Sequence, residues 1–167
     1  MNEKIQKVAK LFEKKAKEYW GRKASGFLFV CKDDNTVFLA LRSPSTGGGW
    51  SAVGGAVAQA GEGWFDSDHD TPDPPDQIFW NSAVREVIEE LGSMPNVQST
   101  LADTLFRDGG FTYKTFICNL TREEKDRWTN GLKIKPSEHS SARWFPVNDL
   151  PSNRHPGLAY SLQNIRT

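Results

Sequence analysis

The sequence predicts an α/β domain. Short apolar runs of strand length alternate with segments whose apolar residues recur at helical spacing, which agrees with a layered α/β architecture without singling it out. A chain of 167 residues is long enough to bury one substantial core. No internal repeat divides it.

Residues 2–20 read as an amphipathic helix. Ile5, Val8, Ala9, Phe12, Ala16, Tyr19 and Trp20 recur at helical spacing, Lys and Glu fill the remaining positions, and Gly21 can end the helix. The lysine excess admits a membrane surface or a phosphate group as partner. The preferred reading is a helix docked on its own domain with its lysines solvated. Residues 1–22 are therefore set apart as an N-terminal helix, and 23–167 as the domain proper.

Residues 27–31 form an apolar run consistent with a buried strand, Asp33-Asp34-Asn35 carries turn chemistry, and residues 37–42 complete a hairpin. A loop with three successive glycines covers 43–49. Residues 101–106 and 113–120 read as two further strands around Asp108-Gly109-Gly110. Thr121-Arg122-Glu123-Glu124 fits a capping box that opens a short polar helix to Trp128. Residues 143–147 look like the last strand, and a short helix is expected after Pro156.

Composition excludes some classes. The formal charge is zero, which gives no support for an extended nucleic-acid surface but is compatible with a nucleotide. Cys31 and Cys118, the two cysteines, sit in apolar runs and read as buried free thiols in a reducing compartment. No apolar run approaches the length of a membrane span, and the N-terminus lacks the apolar stretch of a signal peptide. A cytoplasmic protein is the default expectation.

The chemistry concentrates in residues 82–92. At 100° per residue, Trp80, Val84, Val87, Ile88 and Leu91 fall in one stripe, with Glu86, Glu89 and Glu90 expected on the opposite surface. Like charges at i, i+3 and i+4 repel by about a few tenths of a kcal/mol per pair. Glu89 and Glu90 also lie in the last turn, where the helix dipole disfavours anions, before Gly92 supplies a C-terminal stop. A solvated Glu-rich face is the bland explanation. A bound hard divalent cation such as Mg²⁺ is the functional one. Upstream, Gly54-Gly55 in Trp50-Ser51-Ala52-Val53-Gly54-Gly55 permits close approach of backbone to a ligand.

Arg85-Glu86-Val87-Ile88-Glu89-Glu90-Leu91-Gly92 resembles the second half of the Nudix box, the signature of the Nudix hydrolases, and Gly54-Gly55 resembles its beginning. Every fixed position of the second half matches except the last, where Ser93 replaces an aliphatic residue. The first half departs from the pattern. The interval from Gly55 to Arg85 is longer than the family's, and Gln77 stands where the family has a glutamate eight residues before the arginine. Residues 56–84 contain no Lys or Arg and carry Glu62, Asp66, Asp68, Asp70, Asp73 and Asp76 with Trp64 and Phe65. This insertion reads as a solvated acidic loop or as an extra metal site that His69 could join. Asp73-Pro74 fits a helix N-cap and first position, which places the helix start near Pro74.

The resemblance implies an α/β/α Nudix sandwich with a mixed β-sheet. It also implies Mg²⁺-dependent hydrolysis, with Mn²⁺ as a possible substitute, of a pyrophosphate bond in a nucleoside diphosphate linked to another group. Glu86, Glu89, Glu90 and the Gly55 carbonyl would hold metal, and Arg85 would orient Glu89. Glu138 corresponds to a metal-binding or base glutamate that some members carry in a similar loop, or is a plain exposed glutamate. Glu62 would supply the charge missing at Gln77, or be carried into solvent by the insertion. Trp64, Phe65, Phe79, Phe111 and Tyr113 are candidates to stack on a base, against the general preference of aromatics for the core. The alternative is a Nudix-fold nucleotide-binding or regulatory module with little turnover.

Overall fold

The computed structural model describes residues 23–44, 48–57, 75–108, 111–135 and 139–154, together with Leu158 and Leu162. The expected N-terminal helix, the acidic stretch with Glu62, Trp64, Phe65 and His69, and Glu138 lie outside the described residues. The elements run in the order β1 (Lys23–Cys31), β2 (Thr36–Arg42), β3 (Trp50–Ser51), β4 (Val53–Ala56), α1 (Asp76–Leu91), β5 (Ser99–Asp108), β6 (Phe111–Asn119), α2 (Arg122–Asn130) and β7 (His139–Pro146).

The strands form one seven-stranded mixed sheet, with β3-β2-β1-β6-β5 in line, β4 beside β1 and β7 beside β2. β1 and β6 run parallel, and the other pairings are antiparallel. β1 lies at the centre and is buried along its whole length, as an apolar run without alternation requires. Its side chains still alternate between faces. Phe27 and Phe29 join one core with Phe38, Val53, Phe79, Ala83, Val87, Leu91, Phe116 and Trp128, whereas Leu28 and Val30 join a second with Val37, Leu39, Trp50, Ile117, Leu158 and Leu162. Helices α1 and α2 therefore cover one face. The C-terminal segment, helical at Leu158 and Leu162, covers the other. The α/β/α layering follows from two apolar faces that each need a cover.

The hairpin turn is as the sequence suggests: Asn35 adopts φ 57°, a left-handed conformation that asparagine tolerates. Thr121 caps α2 by accepting from the Glu124 N–H at 3.1 Å. The Glu124 carboxylate does not return to the cap as a full capping box would; it pairs with Arg127 and accepts from the Asn96 N–H. Helix α1 begins at Asp76, with Pro75 rather than Asp73 in the cap position and no side-chain cap bond. Residues preceding a proline are disfavoured in helical backbone, so a start before Pro75 is opposed. Gly92 ends the helix with φ 95°, and its N–H donates to the Ile88 carbonyl at 2.9 Å. Two short strands went unanticipated: Gly54 and Gly55 lie on β4, opposite Gly26 and Ser25 of β1. Among the described residues, no helix is long and apolar enough to cross a membrane.

Candidate active site

The site is set by how α1 is rolled on the sheet. Phe79, Ser82, Ala83, Val87, Glu90 and Leu91 are its buried residues, while Ile88 is 47% exposed. Trp80 and Val84 are only partly buried against the core. The expected stripe is thus displaced by about a quarter-turn of the helix. Small residues explain the roll. Ser82 and Ala83 let the helix axis come close to β1 and β4, against which α1 packs. The Ser25 hydroxyl ties the first turn down by donating to the Phe79 carbonyl at 2.7 Å. The roll turns Ile88 outward and brings the Glu86–Glu90 edge of the helix toward β4.

The three glutamates consequently do not form one surface patch. The Glu86 carboxylate lies against Gly55, where a Cβ would stand 2.4 Å from its carboxyl carbon and 2.5 Å from Oε1. Glu90 is 3% exposed. Glu89 is half exposed on its side chain and is engaged by Arg85, whose guanidinium stands 3.3 Å from Glu89 and 3.1 Å from Glu86. One guanidinium nitrogen of Arg85 thus bridges the carboxylates of Glu86 and Glu89 and offsets their mutual repulsion. Among the described residues, no three His, Cys, Asp or Glu side chains converge to a ready metal cage. What the site does offer is a pair of carboxylates, Glu86 and Glu90, one turn apart on the inner edge of α1, with the Gly55 backbone beneath the first. That donor set is all oxygen and incomplete on the protein side. It suits Mg²⁺, which keeps waters and takes one or two carboxylates plus substrate phosphates.

Gln77, exposed on the first turn of α1, donates its side-chain amide to Asn81 at 2.8 Å. Phe79 and Tyr113 are buried and offer no platform to a base. Tyr113 instead threads a gap left by two glycines. Its hydroxyl would stand 2.4 Å from a Cβ on Gly26 and 2.6 Å from one on Gly54. Burial pushes the Tyr113 hydroxyl above its usual pKa, Arg42 opposes that shift, and the charges of Glu90 and Glu86 add to it. Both carboxylates therefore act on one buried point.

Sequence reading passed over two further residues, Arg42 and His139. The two are register partners at the end of β2 and the start of β7, where the pairing is bulged between Leu41 and Arg42. Both are buried, at 5% and 1% exposure. β7 begins four residues before the expected strand, because a polar run before Arg143 gives no strand signal of its own. His139 follows Glu138 in sequence, and its Nδ1 stands 3.6 Å from Glu90 Oε2.

The Nudix domain model matches residues 21–165. This chain belongs to the Nudix family. Solved Nudix structures share its fold at low identity. The MutT Nudix hydrolase of Burkholderia pseudomallei is 21% identical, with a TM-score of 0.55 over 86% of this chain and 96% of that one. A Caenorhabditis elegans Ap4A hydrolase, solved as a binary complex, is 16% identical, with a TM-score of 0.54 over 87% and 93% of the two chains. The Nudix domain of Shewanella oneidensis NrtR, solved with ADP-ribose, is 16% identical, with a TM-score of 0.52 over 87% and 86%. No curated protein matches the chain.

Proposed function

We propose that this Nudix protein hydrolyses a pyrophosphate bond in a nucleoside diphosphate linked to a second group, with Mg²⁺ as cofactor and Mn²⁺ able to replace it. The reading rests chiefly on the Glu86 carboxylate seated against Gly55, with Glu90 one turn on. A bare Glu-rich helix face has no reason to press a carboxylate against a glycine backbone. An oxygen site for a hard cation does. The solved MutT Nudix hydrolase, the Ap4A hydrolase and the ADP-ribose complex that share this fold support a nucleotide-type substrate.

In this reading Glu86 and Glu90 hold the ion, with the Gly55 carbonyl as backbone donor. Bound Mg²⁺ would supply neutralisation of phosphate charge and a more acidic water. Arg85 fixes Glu89 at the edge of the pair, where it can orient a water or complete the ligand set. With a cation held there, negative phosphates would meet a positive centre, which is the main electrostatic demand of phosphoryl transfer. Glu138 remains a proposed base or ligand, and Glu62 a proposed supporting carboxylate.

The test is a screen of nucleoside diphosphate derivatives with Mg²⁺ in isotopically labelled water. The expected result is cleavage at the pyrophosphate, with the label in one phosphoryl product. The binding-module reading is favoured by one observation: Gln77 replaces a charged box residue and spends its amide on Asn81. Tight nucleotide binding without turnover across the screen would establish that reading instead.

A further inference from the structure

We propose that His139 is a positioning residue for Glu90: its imidazole fixes the carboxylate in the orientation that binds the cation. This deepens the metal-dependent reading above and rests on it.

A carboxylate buried to 3% exposure beside Val87 and Leu91 is costly unless its oxygens are met by polar groups. His139 supplies one from within the fold. Its ring is 1% exposed, and Nδ1 lies 3.6 Å from Glu90 Oε2, within ion-pair range and just beyond hydrogen-bond distance. With its proton on Nδ1, the ring presents a donor to the carboxylate and leaves the other oxygen for the ion.

The backbone holds this juxtaposition from two sides. From the helix side, the Lys133 N–H donates to the Leu91 carbonyl at 2.9 Å and the Lys135 N–H to the Glu90 carbonyl at 2.8 Å. The His139 N–H then donates to the Lys135 carbonyl at 3.1 Å. From the sheet side, His139 pairs with Arg42 across the bulge. Bulges re-aim side chains at the end of a pairing. The connection into β7 is thus stitched to the C-terminal end of α1 through the very residue whose side chain it serves. Outer-shell partners of this kind keep a metal-binding side chain in one rotamer, and their loss typically weakens metal binding by about 10-fold or more.

The experiment is calorimetric titration of the full chain with Mg²⁺ in four forms: wild type, His139→Leu, His139→Asn and Glu90→Gln. Leucine fills the cavity without a donor. Asparagine places an N–H close to where Nδ1 stands. Weakening of Mg²⁺ binding by about 10-fold in His139→Leu, with most of the loss recovered in His139→Asn, supports the proposal. A merely structural histidine predicts the reverse order, since leucine suits an apolar cavity better than asparagine. Wild-type affinity in His139→Leu, or equal loss in both variants, overturns it. Should His139→Leu not fold, His139→Gln replaces it, because its longer amide reaches the Nε2 position and not Nδ1. Equal binding by the Gln and Asn variants then overturns the role. The Glu90→Gln arm separates the two layers. Wild-type Mg²⁺ affinity there removes the metal reading of Glu90 and the positioning role together. Lost affinity there, with wild-type affinity in His139→Leu, removes the positioning role alone.

Discussion

The carboxylate of Glu86 occupies the space that a side chain on Gly55 would fill: a Cβ there would come within 2.8 Å of both its oxygens. Glycine at this position is a requirement of the site rather than of the backbone. Gly54, its neighbour, is glycine for another reason, since a Cβ there would lie 2.2 Å from the Ser25 carbonyl oxygen and 2.6 Å from the Gly26 Cα.

The two substitutions should separate cleanly. The three atoms nearest a Cβ at Gly55 all belong to the far end of the flexible Glu86 side chain, so in Gly55→Ala Glu86 should swing away, the fold survive, and Mg²⁺-dependent turnover fall by about 100-fold, the usual cost of losing a key electrostatic contributor. Gly54→Ala forces backbone apart between β1 and β4 and should cost about 3 kcal/mol of stability, as overpacking does. Denaturant titration and steady-state kinetics on both variants check this. A Gly55→Ala enzyme of wild-type activity would show that Glu86 is not needed where it stands.

The box glutamates should differ in weight. Glu86→Gln and Glu90→Gln are expected to lower turnover by about 100-fold or more. Glu89→Gln, which alters a half-exposed group already held by Arg85, should cost less, about 10-fold. Mg²⁺ should also raise the melting temperature of the wild type more than that of the Glu86 or Glu90 variant, because a ligand of the native state stabilises it. Equal kinetic losses at all three positions would contradict the separation seen here.

Gln77→Ala should leave Mg²⁺ affinity unchanged, since the Gln77 amide is spent on Asn81 at the surface. Glu62→Gln should weaken Mg²⁺ binding if Glu62 carries the charge the box lacks. Calorimetry on the pair decides, and unaltered affinity in Glu62→Gln removes Glu62 from the site.

A structural carboxylate gives a pH test. Burial would raise the Asp34 pKa, but donors from Lys125, Thr36 and Cys31 outweigh it and hold the carboxyl below its ordinary value. Lys125 also donates to the Thr36 hydroxyl at 3.1 Å, which ties the β1–β2 turn to α2. A depressed folded-state pKa means that the stabilisation is complete above the unfolded value of about 4 and is lost as pH falls through the folded value. Asp34→Asn should therefore cost about 1 kcal/mol at neutral pH. The difference from wild type should close in acid. A constant difference from pH 7 to pH 2 would contradict the assignment.

The sequence by itself determined the family and through it the α/β class, together with a buried strand and the carboxylate helix. Each is written in local terms: an unbroken apolar run at 27–31, a helical period ending at Gly92, and residue types at fixed spacing from Arg85 to Gly92. Only the tertiary structure decided which way that helix faces. A helical wheel assigns faces by hydrophobicity, but Ser82 and Ala83 allow a closer approach to the sheet than Ile88 would, so size prevailed over apolarity and Glu90 was drawn inside. The same holds for Gly54-Gly55, whose glycines answer to Ser25, Gly26 and Glu86, residues distant in sequence. His139 was beyond local reading for the same reason. Its partner Glu90 lies on another element, and a polar run before Arg143 has no period that marks it as buried. Pairings that form only when α1, β2 and β7 meet carry no signal in any one of those segments.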